Sequence, residues 1–321
     1  MQYRTVRDLH EVIIHSLPAL PRDIDVVVGI PRSGMLPATL ISLHLNTALA
    51  DFDGFLSGRV LSKGHRPYYS HLDSAQADRM HVLIVDDSVG HGTQMRQVQT
   101  RVLKADLPYN IMYAAVFVTP ECRDLVDYAF EELEWGRMFS WNVMHHAVLK
   151  DCCVDIDGVL CVDPTSRQKE DTPEYEEFLR NTKPLFLPGP EVGWLVTGRL
   201  EKYRSATEEW LAKHGVKYRH LVMLDQPDRA SKQANGGGAP FKASVYRQSD
   251  AKLFIESSEG EARIIAKLTG KPVLCVGTQA MVYPDLIDRV QSLPRRNPKT
   301  LLRHLGKRSL KRLGLYKRTQ R

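Results

Sequence analysis

Short apolar runs alternate along this chain with stretches whose apolar positions recur every three to four residues. The runs around Val26, Val82 to Val85 and Met112 are too short and too rich in β-branched residues for helices, and they predict buried parallel strands. Between them, Met35 to Leu45 predicts an amphipathic helix and a second helix is predicted from about Gln94. A further series of strands is predicted near Cys153, Leu195, Val222, Phe254 and Val273, with a helix near Pro173 to Arg180. This alternation predicts an α/β protein with two successive parallel sheets. A chain of 321 residues with 43% hydrophobic content can build two cores. The expected division is 1–147, 148–285 and a tail at 286–321.

Composition changes that picture mainly at the tail. The chain carries a formal +6, yet Leu286 to Arg321 holds twelve Lys or Arg against the single acid Asp288, which leaves the remainder net negative. Only the tail therefore suggests an anionic partner. Leu301, Leu302, Leu305, Leu313 and Leu315 among its cations could form a basic helix lying on anionic lipid. No segment has the length and apolarity of a membrane span, and the N-terminal residues lack a signal peptide's apolar core. Five cysteines without paired zinc spacing are expected to be reduced and half-buried. The expected location is cytoplasmic, with the tail able to touch the inner face of the membrane.

Candidate chemistry concentrates at two strand ends. In Val82 to Thr93 (VLIVDDSVGHGT), Asp86 and Asp87 precede a turn formed by Ser88, Val89, Gly90, His91, Gly92 and Thr93. Such a turn can present backbone N–H groups to a phosphate, with the helix behind it adding its positive end. The two carboxylates can accept hydrogen bonds from a ribose diol or reach a magnesium-bound ligand. The segment resembles the PRPP-binding motif of type I phosphoribosyltransferases, in which two acids hold the ribose hydroxyls and the loop holds the 5-phosphate. That family has a pyrophosphate loop after its first strand, where this chain has Pro31, Arg32, Ser33 and Gly34. The resemblance implies that Arg32 faces pyrophosphate and that the polar segment 57–78, with Lys63, His65 and Arg66, is a lid over PRPP.

The second strand end is Asp151 to Cys161 (DCCVDIDGVLC), which resembles the first motif of the haloacid dehalogenase (HAD) phosphatases. A carboxylate there can attack a phosphomonoester when magnesium neutralises the phosphate oxygens, and an acid two residues on can protonate the leaving alcohol. On the resemblance, Asp155 is nucleophile and metal ligand. Asp157 is general acid/base and a metal ligand through its backbone carbonyl. Thr197, in Trp194 to Arg199 (WLVTGR), would donate to the phosphate with Arg199 nearby, and Lys242 would neutralise charge, with Lys252 as the second choice. Glu256 would complete the metal ligands, although Glu256 and Ser257 stand where two aspartates are usual. Only about forty residues separate the first two motifs, so a minimal cap is expected. Arg229 to Lys242 is expected to be a flexible glycine-rich loop.

Together these resemblances imply a type I phosphoribosyltransferase-like sheet followed by a HAD-like Rossmannoid sheet, using PRPP and Mg2+. The expected activity is a two-step ribofuranosylation. A 5-phosphoribosyl group is transferred to a glycan or lipid-linked oligosaccharide with release of pyrophosphate, and the 5-phosphate is then hydrolysed. It is similar to the transferase and phosphatase systems that build ribofuranose into bacterial polysaccharides. Two alternatives stay open: a nucleobase phosphoribosyltransferase with a nucleotide phosphatase domain, and a PRPP-sensing regulator whose tail binds nucleic acid. No base-binding hood is recognisable, and 119–146, with Trp135 and Trp141, carries no resemblance.

Overall fold

The computed structural model describes residues 2–61 and 80–284. The chain divides into two compact units, Met1–Val143 and Met144–Arg321. The lid residues Lys63, His65 and Arg66 and the basic tail lie outside the described residues.

The first unit contains β1 (Gln2–Arg4), α1 (Val6–Ser16), β2 (Val26–Gly29), α2 (Met35–Leu45), β3 (Ala48–Asp51), α3 (Phe52–Leu56), β4 (His81–Val89), α4 (Thr93–Ala105), β5 (Asn110–Val118), β6 (Tyr128–Glu132) and β7 (Arg137–Phe139). Five strands form a parallel sheet in the order β3-β2-β4-β5-β6, and β1 pairs with β7 separately. Two-residue periodicity splits the sheet's side chains between its faces. Val26, Val28, Val82 and Ile84 pack with Phe52 of α3 and with Met95, Val98 and Val102 of α4. Val27, Leu83 and Val85 pack instead with Leu9 and Ile13 of α1 and Ala38 and Ile41 of α2. A sheet covered on both faces is the reason these strands read as unbroken apolar runs. Helix α1 is held at its start by a reciprocal cap, in which Thr5 Oγ1 accepts from Asp8 N and Asp8 Oδ2 accepts from Thr5 N at 2.7 Å.

Two expectations are corrected here. Helix α2 is not amphipathic: it is apolar on nearly every side, with Ile41 buried and Leu43 71% exposed. Strand β4 also runs four residues past Val85, so Asp86 and Asp87 lie within the strand rather than just before a turn. Their pairing with β5 continues beyond Asp86 to Val89↔Val118, which is what keeps the backbone extended through the polar residues.

The second unit contains β8 (Cys152–Val154), α5 (Pro173–Asn181), β9 (Val192–Leu200), α6 (Arg204–Lys213), β10 (Tyr218–Leu224), α7 (Arg229–Ala234), α8 (Gly238–Gln248), β11 (Leu253–Glu256), α9 (Glu259–Thr269), β12 (Val273–Cys275) and β13 (Ala280–Val282). Its sheet order is β10-β9-β8-β11-β12-β13, parallel except for β13. One face packs Cys153, Val196 and Phe254 against Ala243 and Tyr246 of α8 and Ile265 of α9. Tyr175, Phe178 and Leu179 of α5 cluster with Ala206 of α6. The stretch expected to be a flexible loop is instead helical in α7 and α8, separated by Gly236 and Gly237 at positive φ. All five cysteines are free and buried, more deeply than expected.

Leu83 is fully buried and Leu103 is 80% exposed. Leu83→Ala is expected to lower the unfolding free energy by about 2–5 kcal/mol and Leu103→Ala by about 0.5 kcal/mol or less, as measured by urea denaturation.

Candidate functional site

In the first unit, three stretches converge at the carboxyl ends of β2 and β4, where open α/β sheets bind ligands. Asp87 is the centre of this arrangement. Its Oδ1 accepts from Ser33 Oγ at 2.7 Å and its Oδ2 from Trp141 Nε1 at 2.8 Å. The carboxylate is thus fixed from the 31–34 loop on one side and from the segment after β7 on the other. Asp86 is equally buried, and its Oδ1 accepts from Asp87 N at 3.0 Å. Burial first, then the neighbouring Asp87, pushes the Asp86 carboxyl well above the usual range, with Arg137 opposing.

The loop before α2 is packed too tightly for a side chain at Gly34. A Cβ there would lie 2.5 Å from Ile30 O and 2.8 Å from Val85 O. The Pro31–Arg32 peptide is cis, and Arg32 is exposed at this loop. Gln94 Nε2 donates to Pro31 O at 3.3 Å, tying the start of α4 to the same loop. Gly92 enters α4 with φ +75 and no side chain caps the helix, so its first N–H groups remain available to an anion. Ser88 is half-buried, Val89 is buried and Thr93 is exposed. The structure therefore brings Ser33, Gly34, Asp86 and Asp87 together with residues 88–93 around one edge, but Ser88 and Val89 end β4 and Thr93 opens α4, so the turn expected over 88–93 is confined to 90–92.

The segment without a sequence resemblance supplies residues that the motif reading missed. Besides Trp141, Arg137 lies against Gly90: its Nη1 donates to Val89 O at 3.0 Å, and a Cβ on Gly90 would fall 2.0 Å from its Nη2. Trp135 stacks on His91 with ring centroids 4.4 Å apart. Two tryptophans spaced near the end of a sheet were the only signal, and nothing local connects them to Asp87.

In the second unit, Asp155 follows β8 directly and Glu256 ends the adjacent β11. Lys242, from α8, reaches both: its Nζ is 2.6 Å from Asp155 Oδ2 and 2.8 Å from Glu256 Oε2. Glu261 of α9 adds a third carboxylate at 2.7 Å. Burial works against the charge on Lys242, but the three carboxylates outweigh it and hold its ammonium well above its ordinary range. Burial is also the largest influence on Asp155, pushing it well above the usual carboxylate range against Lys242. Lys252, the other choice, instead faces Asp151 at 3.8 Å and is 70% exposed. Glu261 was missed in the sequence. Its signal was an acid in the first turn of the helix that follows the acidic strand end.

Thr197 is fully buried in β9, and its Oγ1 accepts from Arg199 N at 3.3 Å. Asp157, expected as a general acid, is engaged with Arg199 instead. Arg199 Nη2 donates to its Oδ1 at 2.6 Å and Nε to its Oδ2 at 3.1 Å. Burial raises the Asp157 carboxyl, but Arg199 more than compensates and holds it below the usual range. A cavity of about 760 Å3 is lined by Asp155, Asp157, Lys242, Glu256 and Glu261, and the buried Thr197 and Arg199 stand behind its wall.

Among the described residues, no three His, Cys, Asp or Glu side chains are grouped as a metal site. Asp155, Glu256 and the Asp157 backbone carbonyl, the residues that would hold a metal here, offer only oxygen donors, and the two carboxylates now share Lys242. This fits magnesium, which typically takes one or two carboxylates and retains several waters.

Taken as a class, the first unit is a parallel α/β sheet with paired acids and a glycine-rich turn at the carboxyl ends of its strands. Residues 2–146 match the phosphoribosyl transferase domain family. Over 124 residues the chain is 31% identical to the xanthine-guanine phosphoribosyltransferase of Chromohalobacter salexigens, covering 38% of this chain and 71% of that relative. The chain therefore belongs to the phosphoribosyltransferase family. Similar solved structures include a purine phosphoribosyltransferase from Pyrococcus horikoshii, at 24% identity over 44% of this chain and 92% of that one, TM-score 0.32. Another is the xanthine-guanine-hypoxanthine phosphoribosyltransferase of Helicobacter pylori, at 15% identity over 44% and 93%, TM-score 0.32.

Trp141→Phe removes the donor to Asp87 while keeping an aromatic ring. It is expected to raise KM for PRPP by about tenfold in steady-state kinetics, the effect of a lost hydrogen bond to a charged group. The Asp157 contribution to stability is present above the unfolded carboxylate pKa of about 3.9 and is lost as pH falls through the lower folded value. Asp157→Asn leaves Arg199 buried without its partner, so the variant is expected to be about 3–5 kcal/mol less stable at pH 7. That gap is expected to narrow below about pH 4 in urea titrations.

Proposed function

We propose that this chain carries out a two-step ribofuranosyl transfer. The first unit transfers a 5-phosphoribosyl group from PRPP to an acceptor with loss of pyrophosphate, and the second removes the 5-phosphate. The observation that carries the second step is Lys242 placed between Asp155 and Glu256, 2.6 Å and 2.8 Å away, in the wall of an open cavity. A carboxylate beside a fixed ammonium at a strand end is equipped for in-line attack on a phosphomonoester.

In the first step, Arg32 and the 31–34 loop would receive the pyrophosphate, Asp86 and Asp87 the ribose hydroxyls, and residues 88–93, from the end of β4 through the turn to the start of α4, the 5-phosphate. Charge developing on the sugar in the transition state would be stabilised by the two acids. In the second step, Asp155 would attack phosphorus, Thr197 and Lys242 would hold the phosphate oxygens, and the alcohol would leave with a proton from Asp157; water, losing a proton to Asp157, would then hydrolyse the aspartyl-phosphate and release phosphate. Delivery of that proton requires Asp157 to leave Arg199. Magnesium bound by Asp155, Glu256 and the Asp157 carbonyl would neutralise the phosphate's charge.

The acceptor proposed is a glycan hydroxyl. A cleft reached without a large cap suits a phosphate displayed on a bulky chain, since only short connections and α5 separate Asp157 from β9. A purine base is the second reading. It is favoured by the 31% identity to a xanthine-guanine phosphoribosyltransferase and by the half-exposed Trp135 indole at the site edge, against which a planar base can lie.

Asp155→Asn is expected to cut phosphate release by about 10^3-fold or more while leaving pyrophosphate release intact. With PRPP, magnesium and a glycan-bearing membrane extract, mass spectrometry should find a phosphoribosyl adduct that wild-type protein converts to ribosyl. Adducts on guanine or xanthine alone would establish the second reading. Equal phosphate release by the variant and the wild type would refute the second step.

A further inference from the structure

We infer that a groove beside the phosphatase cavity binds the glycan part of the ribosylated product. The inference rests on the two-step reading and says where, in the second unit, the chain that carries the phosphorylated ribose would lie. The groove measures about 770 Å3 and is bounded by the stretch 162–168, by α5 and by Thr182 and Lys183 just after it. Asp163, Thr165 and Gln168 stand in its wall and also in the wall of the cavity that holds Asp155. The two hollows are therefore neighbours across one short segment. A phosphate held at Asp155 leaves the far end of a long substrate outside the first hollow, and the second is the surface it reaches across that segment.

The groove combines carbon surface with polar groups of both kinds. Val162, Pro173 and Phe178 supply the carbon surface. At the rim, the exposed Arg167 and Lys183 have no acceptor and the exposed Glu174 no donor among the described residues. Gln168 Oε1 accepts from Thr165 N and from Thr165 Oγ1, both at 3.0 Å, which fixes the amide and leaves its Nε2 as a donor. Asn181 Nδ2 donates to Glu177 Oε1 at 2.6 Å, so the Asn181 oxygen is left as an acceptor.

A saccharide matches this mixture, because each hydroxyl both donates and accepts while the C–H faces of its rings pack on apolar side chains. A planar base is matched less well, since Phe178 is buried and stacked on Tyr175 rather than presented as a platform. An anionic chain would meet Glu174 and Glu177 beside the cations. The rim can be altered without loss of the helix beneath it. Tyr175, Phe178 and Leu179 hold α5 against Ala206, and neither Glu174 nor Lys183 takes part in that packing.

The test uses the full chain with magnesium and reads phosphate release from ribose 5-phosphate, from guanosine 5′-monophosphate, and from disaccharide phosphates in which the phosphorylated ribose is β-linked to galactose, glucose or N-acetylglucosamine. At least one disaccharide phosphate is expected to exceed ribose 5-phosphate by about 10–10^2-fold in kcat/KM, the effect of a few added hydrogen bonds. Glu174→Ala combined with Lys183→Ala is expected to remove most of that advantage and to leave ribose 5-phosphate within about twofold. Calorimetry of the same compounds on Asp155→Asn reads binding without turnover, and the same order of affinities and the same loss on altering the rim are expected. Equal kcat/KM for the disaccharide phosphates and ribose 5-phosphate, a rim variant that lowers both alike, or a preference for guanosine 5′-monophosphate that depends on Glu174 and Lys183 would each overturn the assignment. If no compound releases phosphate, the phosphatase reading fails and calorimetry decides the groove by itself. A gain in affinity from the second sugar that the rim variant abolishes upholds it, and no such gain overturns it.

Discussion

Parallel strands impose the constraint on which everything else here depends. A strand can be joined to a parallel neighbour only by a crossover that returns the chain to its starting end, and the crossover must cover a face of the sheet. In each unit this aligns the carboxyl ends of the parallel strands at one edge. Residues distant in sequence, such as Ser33 and Asp87 or Asp155 and Glu256, then become neighbours without long loops. The buried strands supply rigidity, and the polar residues at their ends inherit it.

Legibility from the sequence followed the same constraint. Strands buried on both faces appear as short apolar runs, so β2, β4, β8, β9 and β11 and the acids at their ends were readable. The edge strand β10 was also readable near Val222, but the shorter elements were not. The strand β3 alternates buried and half-buried residues over only four positions, and the three-residue β1, β7 and β13 are too short to show any period. Helices α7 and α8 were hidden by three consecutive glycines, which suggest a loop but in fact separate two helices. The contribution of Trp141 was invisible because it depends on a contact spanning 54 residues.

The two sites use charge in opposite ways. Around Asp87 the donors are neutral, a hydroxyl and an indole N–H, so the carboxylate is oriented without being neutralised. Around Lys242 three carboxylates share one ammonium, and the cluster retains a negative excess that favours a further cation. Charges this close persist because each is hydrogen-bonded, and removal of the single ammonium would leave Asp155 and Glu256 buried without compensation. Arg199 and Asp157 form a separate pair at the same edge, with the arginine itself 1% exposed.

The seat of Arg137 against Gly90 has a consequence for variation in this chain. A side chain at position 90 and a guanidinium at position 137 claim the same volume, because the nearest approach would be 2.0 Å. A side chain at position 90 is therefore accommodated by a shift of the Arg137 guanidinium. A descendant of this sequence that acquires a larger residue at position 90 must swing the flexible end of Arg137 aside, and with it the guanidinium that lies 5.7 Å from the Trp135 ring centre. Loop chemistry and the segment after β6 thus meet through one long side chain, whose far end rather than its backbone absorbs change in the loop.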